Sequence, residues 1–379
     1  MEFDIFINIT WGLLVMSYYY LKGIAAGIFF IIAFGEVMNI AKLKKMTKLG
    51  LWMSFTFSIV LPMILVADLQ QPGRFIELMF RPHIASPMAW GGYILIIYFL
   101  AGGLTTHFYM RDEFIKLAKK HEGSYLSFFF KLFALFRMDD SEESIAKDKS
   151  IARGFFYFNM IIAFVLEMYG GILMSVNASR PIWGSPLTPM FFIVSSLSGG
   201  AMVLLMVYGL FNVAAKTPNN IYASEVTILA KIAIFALLTE LLFFFMQIFY
   251  FLNSTSRAKF QFIFLFNNGF ETTQYLFIDL GLAIVLPLLL ILFGFWKENY
   301  WVSFVGGLFT VLGSWIYKYN LIIGGQEIAR ASGNQSVFEW TGHEIQILVS
   351  ITLLFIAVLL AVFWFLPWHI ETNTKEVTA

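Results

Sequence analysis

The sequence predicts an all-α membrane protein with about nine transmembrane helices, and three observations predict it. Hydrophobic residues make up 59% of the 379 residues and charged residues only 13%, whereas a soluble domain carries about 25% charged residues. The chain contains many apolar runs of about 18 to 25 residues, long enough to cross a hydrocarbon core of roughly 30 Å. The runs lack the alternation of apolar and polar residues that is typical of a membrane β-barrel.

The apolar runs define nine predicted spans, at residues 12–35, 50–68, 88–108, 155–176, 187–211, 226–250, 273–295, 301–323 and 345–366. Basic residues decide the orientation, because cytoplasmic loops carry an excess of lysine and arginine. The loop after the first span holds Lys42, Lys44, Lys45 and Lys48, and the long loop after the third span is also basic. We therefore expect the N-terminus outside and the C-terminus inside, as an odd number of spans requires.

A weak internal repeat predicts how the spans are grouped. The segment "LKGIAAG" in the first span resembles "LSGGAMV", residues 197–203, in the fifth span. Both spans run from outside to inside, as in transporters built from parallel repeats, and small residues let helix backbones approach closely. We expect one four-helix bundle in residues 1–176, a second in residues 187–323, and an extra transmembrane helix with an inner tail in residues 345–379.

The long inner loop, residues 109–153, contains two distinct segments. The segment "SYLSFFFKLFALFRM", residues 124–138, is rich in phenylalanine and leucine with Lys131 and Arg137 interspersed. This pattern predicts a helix that lies at the inner membrane interface. The segment that follows it, "DDSEESIAKDKS", is interpreted as a solvated charged link.

Ionisable residues inside the predicted spans are candidate functional residues. Lys22 lies roughly 16 Å below the outer end of the first span at 1.5 Å per residue, where a lone charge costs on the order of 3 kcal/mol. Glu167 and Glu240 lie at similar depth in the fourth and sixth spans, and Asp279 lies at a shallower level in the seventh. Two interpretations remain: a buried pair that fixes helix packing, or a proton path or ligand site at mid-membrane.

A second group of polar residues is predicted at the outer side. Asp68, Arg74 and His83 follow the second span, and Tyr169 lies two residues outward from Glu167. His83 can exchange protons near neutral pH. The structural alternatives are an Asp68–Arg74 surface pair and a tyrosine of the interfacial aromatic belt.

The residue inventory excludes several cofactors. The chain has no cysteine and five histidines, and only His107 lies in a predicted span. We therefore expect no iron–sulfur cluster and no c-type haem in this chain. A transmembrane b-type haem, which takes two facing histidines, is also not expected.

Four segments carry a family resemblance. They are "YYYLKGIAAG", "ADLQQPGRFIELMFRPHIASPMAWGGY", "MYGGILMSVNASRPIWGSPLTPMFFIVSSLSGG" and "YKYNLIIGGQ". In this order they resemble the membrane subunits of polysulfide reductase and related quinone-linked enzymes, the NrfD/PsrC type. Two positions depart from the family pattern: Lys22 replaces a small residue, and Lys318 replaces an arginine common before the "GGQ" turn.

The resemblance implies a quinone-binding subunit of a respiratory oxidoreductase complex in the cytoplasmic (inner) membrane. Such subunits exchange electrons between menaquinone or menaquinol and a ferredoxin-like iron–sulfur subunit on the outer face. Further catalytic or cytochrome subunits complete the complex. Several terminal substrates use this type of subunit, and the sequence does not select one.

The resemblance also suggests site residues. The tyrosine that matches Tyr169 and polar residues near the first span, here Asn8 and Thr10, face the quinone head in the family. The family's histidine near this point is absent, so we expect His83 to take its place, with Asp68 and Arg74 nearby. Lys22, Glu167 and Glu240 would then form a proton path. The competing functional classes are a secondary transporter, which would show helices broken at matched positions, and a passive membrane anchor.

Overall fold

The computed structural model describes residues 11–69, 73, 75–177, 180, 182–214, 224–255, 259–260, 262–263, 274–327 and 341–365. The predicted site residues Asn8 and Arg74, and also Thr10, lie outside these ranges. Within them the regular secondary structure is entirely helical.

The helices are numbered in chain order. They are α1 (Leu13–Val37), α2 (Ala41–Lys44), α3 (Thr47–Asp68), α4 (Phe75–Phe80), α5 (Pro87–Lys120), α6 (Tyr125–Phe133), α7 (Glu142–Ser175), α8 (Thr188–Ala214), α9 (Ser224–Leu252), α10 (Gln274–Val285), α11 (Leu286–Trp296), α12 (Tyr300–Tyr319), α13 (Asn320–Gly324), α14 (Gly325–Glu327) and α15 (Gly342–Phe365). The helices α10 and α13 are π-helical.

Nine candidate membrane spans occur in the described part of the chain, which confirms the predicted number and order. They are α1, α3, α5, α7, α8, α9, α10 with α11, α12 with α13, and α15. The orientation stays a prediction, and the terms outer and inner face below follow the charge distribution of the loops.

Helix α1 lies at the centre of the molecule. It contacts α3, α7 and α8 extensively, and also α12 and α15. Most of its residues are buried on every side, as expected of a helix that is hydrophobic all round. Helices α1, α3, α5 and α7 pack on one another, as do α8, α9, α11 and α12. The division into two bundles stays a prediction.

The two repeated segments meet where α1 crosses α8. A Cβ atom on Gly200 would lie 2.6 Å from the carbonyl carbon of Gly27 and 2.6 Å from the backbone nitrogen of Ile28. No side chain fits between the two backbones at this point, so glycine is required there. The small residues of the repeat therefore set the distance between α1 and α8.

The structure corrects the interpretation of the inner loop. Helix α5 continues to Lys120 and α7 already begins at Glu142, so much of residues 109–153 is helical. Most residues of the segment "DDSEESIAKDKS" are exposed, as expected of a solvated segment, but from Glu142 onward they form the first turns of α7 and not a link. Ser141 caps this helix by accepting a hydrogen bond from the backbone nitrogen of Ser144 at 3.3 Å.

A buried ion cluster holds these helical extensions together. Asp148 is 2% exposed and accepts hydrogen bonds from Arg111 and, at 3.0 Å, from Arg137. Arg111 also donates to the carbonyl oxygens of Arg137 at 3.0 Å and Asp139 at 2.8 Å. The cluster therefore joins α5, α7 and the segment between them, and every charge in it has a partner.

Helix α6 occupies the segment for which an interfacial helix was predicted. Ser127 and Phe130 face the protein, whereas Phe128, Phe129 and Leu132 are exposed. An exposed apolar face next to basic residues suits a helix lying in the headgroup region. Its location at the inner interface stays a prediction.

We expect the substitution Asp148→Asn to destabilise the protein by about 3 kcal/mol or more, because it leaves the buried Arg111 without its counter-charge. Thermal unfolding in mild detergent measures the effect. The matched control is Asp140→Asn, since Asp140 pairs with Lys119 at the surface, where both side chains are more than half exposed. Such a pair contributes roughly 0 to 1 kcal/mol, and equal shifts for the two variants would contradict the structural role of Asp148.

A second matched pair tests the helix crossing. Gly200→Ala places a methyl group against the backbone of α1 and is expected to cost about 1 to 3 kcal/mol through overpacking. Gly199→Ala is the control, because its Cβ would meet only Ile24 at an ordinary distance of 3.8 Å. Similar unfolding temperatures for both variants would show that α1 and α8 do not approach as described.

Candidate functional site

The predicted pair of Lys22 and Glu167 is present at the centre of the first four helices. The Nζ atom of Lys22 lies 3.4 Å from Oε1 of Glu167 and donates to the carbonyl oxygen of Leu166 at 2.9 Å. Both side chains are almost fully buried. Gly170 leaves room for this contact, since a Cβ atom there would lie 2.5 Å from Lys22 Nζ.

The Glu167 carboxylate retains unused hydrogen-bonding capacity. Apart from the ion pair with Lys22, neither of its oxygens has a hydrogen-bond donor among the described residues. Buried polar atoms normally have such partners. An acceptor left open at mid-membrane is a candidate for receiving a proton or a water molecule.

Lys318 is a second buried lysine at the site, and it was not among the predicted site residues. Its Nζ atom lies 3.4 Å from the ring centroid of Phe192, and Lys22 Nζ lies 5.7 Å from the same centroid. Phe192 thus contacts both ammonium groups, which gives each of them cation–π stabilisation. Lys318 also donates to the Ser195 hydroxyl at 3.2 Å.

Glu240 does not pair with Lys22. It accepts a hydrogen bond from the Ser198 hydroxyl, and Ser195 and Ser198 are one turn apart on α8. Glu240 is therefore connected to Lys22 through Ser198, Ser195, Lys318 and Phe192. In the structure, Lys22, Glu167 and Glu240 belong to a longer series of neighbouring residues, and Lys318 lies in the middle of this series.

Asp279 extends this series into the second half of the protein. Asp279 and Glu240 both line a cavity of about 10 Å³, a volume that holds roughly one water molecule. The side-chain amide of Asn320 donates to Asp279 Oδ1 at 2.8 Å. Asp279 lies in the π-helical α10 and Asn320 begins the π-helical α13, and π-helical turns are frequent at functional sites.

One feature of the sequence could have indicated Lys318 as a site residue. Lys318 stands where the resembling family commonly has an arginine, and it lies in the predicted span 301–323. A lysine so close to the end of a predicted span is typical of the membrane interface. The structure continues the helix through α13 and α14 to Glu327, and Lys318 is buried inside the protein with 1% of its surface exposed.

Tyr169 lies at the outer end of α7, against the start of α5. Its hydroxyl donates to the carbonyl oxygen of Pro87 at 2.9 Å, and a Cβ atom on Gly91 would lie 2.6 Å from that hydroxyl. Asp68, at the end of α3, is partly exposed, and His83 is exposed in the turn before α5. Among the described residues no hydrogen bond joins Asp68 or His83 to Tyr169, so the predicted grouping of these three stays a prediction.

The outer motifs of the resemblance form a rigid cap over the same region. Trp11 stacks on Trp183 with 5.2 Å between ring centroids. The Gln326 side chain accepts from the Trp11 backbone nitrogen at 3.1 Å and donates to its carbonyl oxygen at 2.9 Å. Arg180 donates to the Gln326 carbonyl oxygen at 2.7 Å. The "RPIW" and "GGQ" segments therefore hold the outer end of α1 in place.

Comparison with known proteins identifies the family. A family model described as "Polysulphide reductase, NrfD" matches residues 5–329. The chain belongs to the NrfD family. This confirms the resemblance drawn from the four sequence segments.

Two relatives of this NrfD chain indicate the kind of complex in which such chains occur. A selenate reductase subunit of Mesobacillus selenatarsenatis is 26% identical over 319 residues, which are 83% of this chain and 73% of that protein. A putative dimethyl sulfoxide reductase membrane subunit of Halobacterium salinarum is 24% identical over 198 residues, or 52% of this chain and 42% of that protein. Both names describe subunits of reductases.

Two of the described groups have acceptor capacity that a quinone head, the cofactor implied by the resemblance, could use. The Tyr169 oxygen, whose proton is donated to Pro87, retains acceptor lone pairs. The open carboxylate of Glu167 belongs to the residue two positions earlier on α7, about 3 Å further inward at 1.5 Å per residue. The Tyr19 ring lies 5.1 Å from Lys22 Nζ, so aromatic rings and a few polar groups occur together beside Glu167.

A double-mutant cycle tests the coupling of Lys22 and Glu167. We expect Lys22→Met to cost about 3 to 5 kcal/mol, because it leaves Glu167 as a buried carboxylate without a counter-charge. Glu167→Gln in the same chain should restore most of this loss, since the amide carries no charge. Thermal unfolding of the four proteins measures the coupling, and strictly additive effects would contradict the ion pair.

Proposed function

We propose that the chain is the quinone-binding membrane subunit of a respiratory reductase complex, passing electrons between menaquinone or menaquinol and an iron–sulfur subunit on its outer face. Family membership and the reductase names of the two relatives support this proposal. The observation that carries it is the buried line of ionisable residues that begins at Glu167, two residues from Tyr169 on α7. A two-electron quinone reaction needs such a line because protons move with the electrons.

The chain's own residues would position the quinone and handle its protons. A bound quinol supplies two electrons and two protons. Tyr169 is oriented by Pro87, so its oxygen faces the site as an acceptor for a ring hydroxyl. Glu167 is the nearest carboxylate with free acceptor capacity, and it would take up the proton released at the ring. His83, Asp68 and Arg74 would complete the outer side of the site, together with Asn8.

The buried line would connect this site with the interior of the membrane. Lys22 contacts Glu167 directly, and Lys318 contacts Ser195 directly, so protons can be exchanged within each half. Phe192 separates the two ammonium groups. A movement of one lysine side chain past this ring would link the halves, and Glu240 and Asp279 would continue the path. The same line serves proton release from quinol or proton uptake by quinone.

The two competing functional classes, a passive membrane anchor and a secondary transporter, explain fewer of the observed side-chain contacts. A passive anchor has no use for buried charges, which are costly in a membrane. A secondary transporter remains a candidate because α10 and α13 depart from α-helical geometry beside Asp279 and Asn320. Transport, however, assigns no role to Tyr169 or to the outer cap.

Electron transfer can be tested on the complex extracted from native membranes through a tag on this chain. A menaquinol analogue is added and the low-temperature electron paramagnetic resonance spectrum is recorded. We expect signals of reduced iron–sulfur clusters to appear. An iron-free preparation without any response to quinol would overturn the proposal and leave transport to be tested.

Substitutions at Glu167 and Tyr169 test whether these two side chains take part in the reaction. Glu167→Gln and Tyr169→Phe should each slow quinol-dependent cluster reduction, by about a hundredfold for the loss of a positioned proton acceptor, while the complex still assembles. Glu225→Gln is the matched control, because Glu225 pairs with Lys45 at 2.7 Å near the inner face. A normal rate in Glu167→Gln would exclude Glu167 from the path.

A further inference from the structure

A long apolar cavity lies on the side of α1 that faces away from Glu167. Its volume is about 320 Å³. It is lined by residues of α1, α3, α8, α12 and α15 and is partly open to its surroundings. Helix α15 is the least buried of the nine spans and contributes Leu348, Ile351, Phe355 and Leu359, which follow one helix face at helical spacing.

The cavity is elongated along the helix axes. Its lining on α15 extends from Leu348 to Leu359, which is about 16 Å at 1.5 Å per residue. A slot of this length with apolar walls accommodates an extended hydrocarbon chain.

Neither water nor empty space suits this cavity. Its walls are almost entirely apolar, so a water molecule there would lack the two to four polar partners it needs. An empty slot would forfeit the dispersion contacts of all its lining residues. An acyl chain from the surrounding bilayer needs no polar partners, and it restores the dispersion contacts of the lining residues.

One polar atom marks the outer end of the slot. Ser17 lines it about 6 Å below the start of α1 at 1.5 Å per residue and is 3% exposed. Its hydroxyl has no hydrogen-bond partner among the described residues. Tyr20 and Thr352 also line the slot, and the Thr352 hydroxyl already donates to the carbonyl oxygen of Leu348 at 2.8 Å. An ester carbonyl at the head of an acyl chain would lie at the depth of Ser17.

We propose that this slot binds one acyl chain of an outer-leaflet phospholipid, and that the lipid attaches α15 to the remainder of the protein. The direct protein contacts of α15 are mainly with α3, including Phe355 against Phe57 with 4.5 Å between ring centroids. Near the inner end α15 also contacts α8 through Phe363 and Phe211, with 5.5 Å between ring centroids, and the acyl chain would fill the space between α15, α8 and α12 along the slot. The site is separate from the quinone region, which lies on the opposite face of α1.

Native mass spectrometry tests the proposal on the complex purified through a tag on this chain. The complex is exchanged into micelles containing a diacyl phosphatidylglycerol with deuterated chains. We expect one deuterated lipid to remain on the chain after the loosely bound lipids are removed. No retained phospholipid on the wild-type chain would overturn the proposal, and so would a retained molecule whose fragments identify it as a quinone.

Two variants locate the lipid. Val207→Phe fills the slot from α8 and should abolish lipid retention and lower the unfolding temperature. Val349→Phe is the matched control, since Val349 lies on the exposed face of α15, outside the slot, and should retain the lipid. If Val207→Phe does not assemble, Ser17→Ala serves instead and should weaken retention. Retention equal to wild type in the slot variant that assembles would overturn the proposal.

Quinol-dependent cluster reduction provides an independent readout. We expect Val207→Phe to keep this activity wherever the complex assembles, because Tyr169 and Glu167 do not line the slot. Loss of lipid with retained activity supports a structural lipid. Loss of lipid together with loss of bound quinone and activity would instead identify the slot as part of the quinone site and overturn the proposal.

Discussion

The cost of burying charge in a hydrocarbon environment governs the arrangement of this protein. Lys22 can remain on a central helix only because Glu167, Leu166 and two aromatic rings surround its ammonium group. This requires α1 to lie directly against α7 and α8. Glycines at the two contact points, Gly170 and Gly200, remove the side chains that would otherwise keep these helices apart.

Two clusters of buried charged side chains offset the cost of burying charge in different ways. At the inner side, Arg111, Arg137 and Asp148 have hydrogen bonds to one another and to backbone carbonyl oxygens, so the cluster is saturated and rigid. At mid-membrane, Glu167 keeps open acceptor positions and Lys318 has a single hydroxyl partner beside an aromatic ring. A saturated cluster stabilises a fold, whereas an unsaturated one can exchange protons.

Departures from regular α-helix occur where the polar line reaches the second half of the protein. The π-helical α10 carries Asp279 and the π-helical α13 begins with Asn320, and these two residues share a hydrogen bond. The wider π turn changes which residues face the neighbouring helix. Lys318 lies just before α13 and donates to the Ser195 hydroxyl.

The sequence alone determined the fold class, the nine spans and the family, and it left Glu167 and Glu240 as candidate partners of Lys22. Hydropathy, the cost of isolated charge and four ordered motifs can be read from the sequence because they are local or depth-dependent properties. The sequence did not reveal that Glu240 belongs with Ser198 and Lys318, that Asp148 is buried, or that α15 lines a slot. Each of these depends on the rotation of a helix about its axis and on the neighbour it faces. Depth can be read by counting residues from a span's end, but the facing partner is decided only when all the helices pack together.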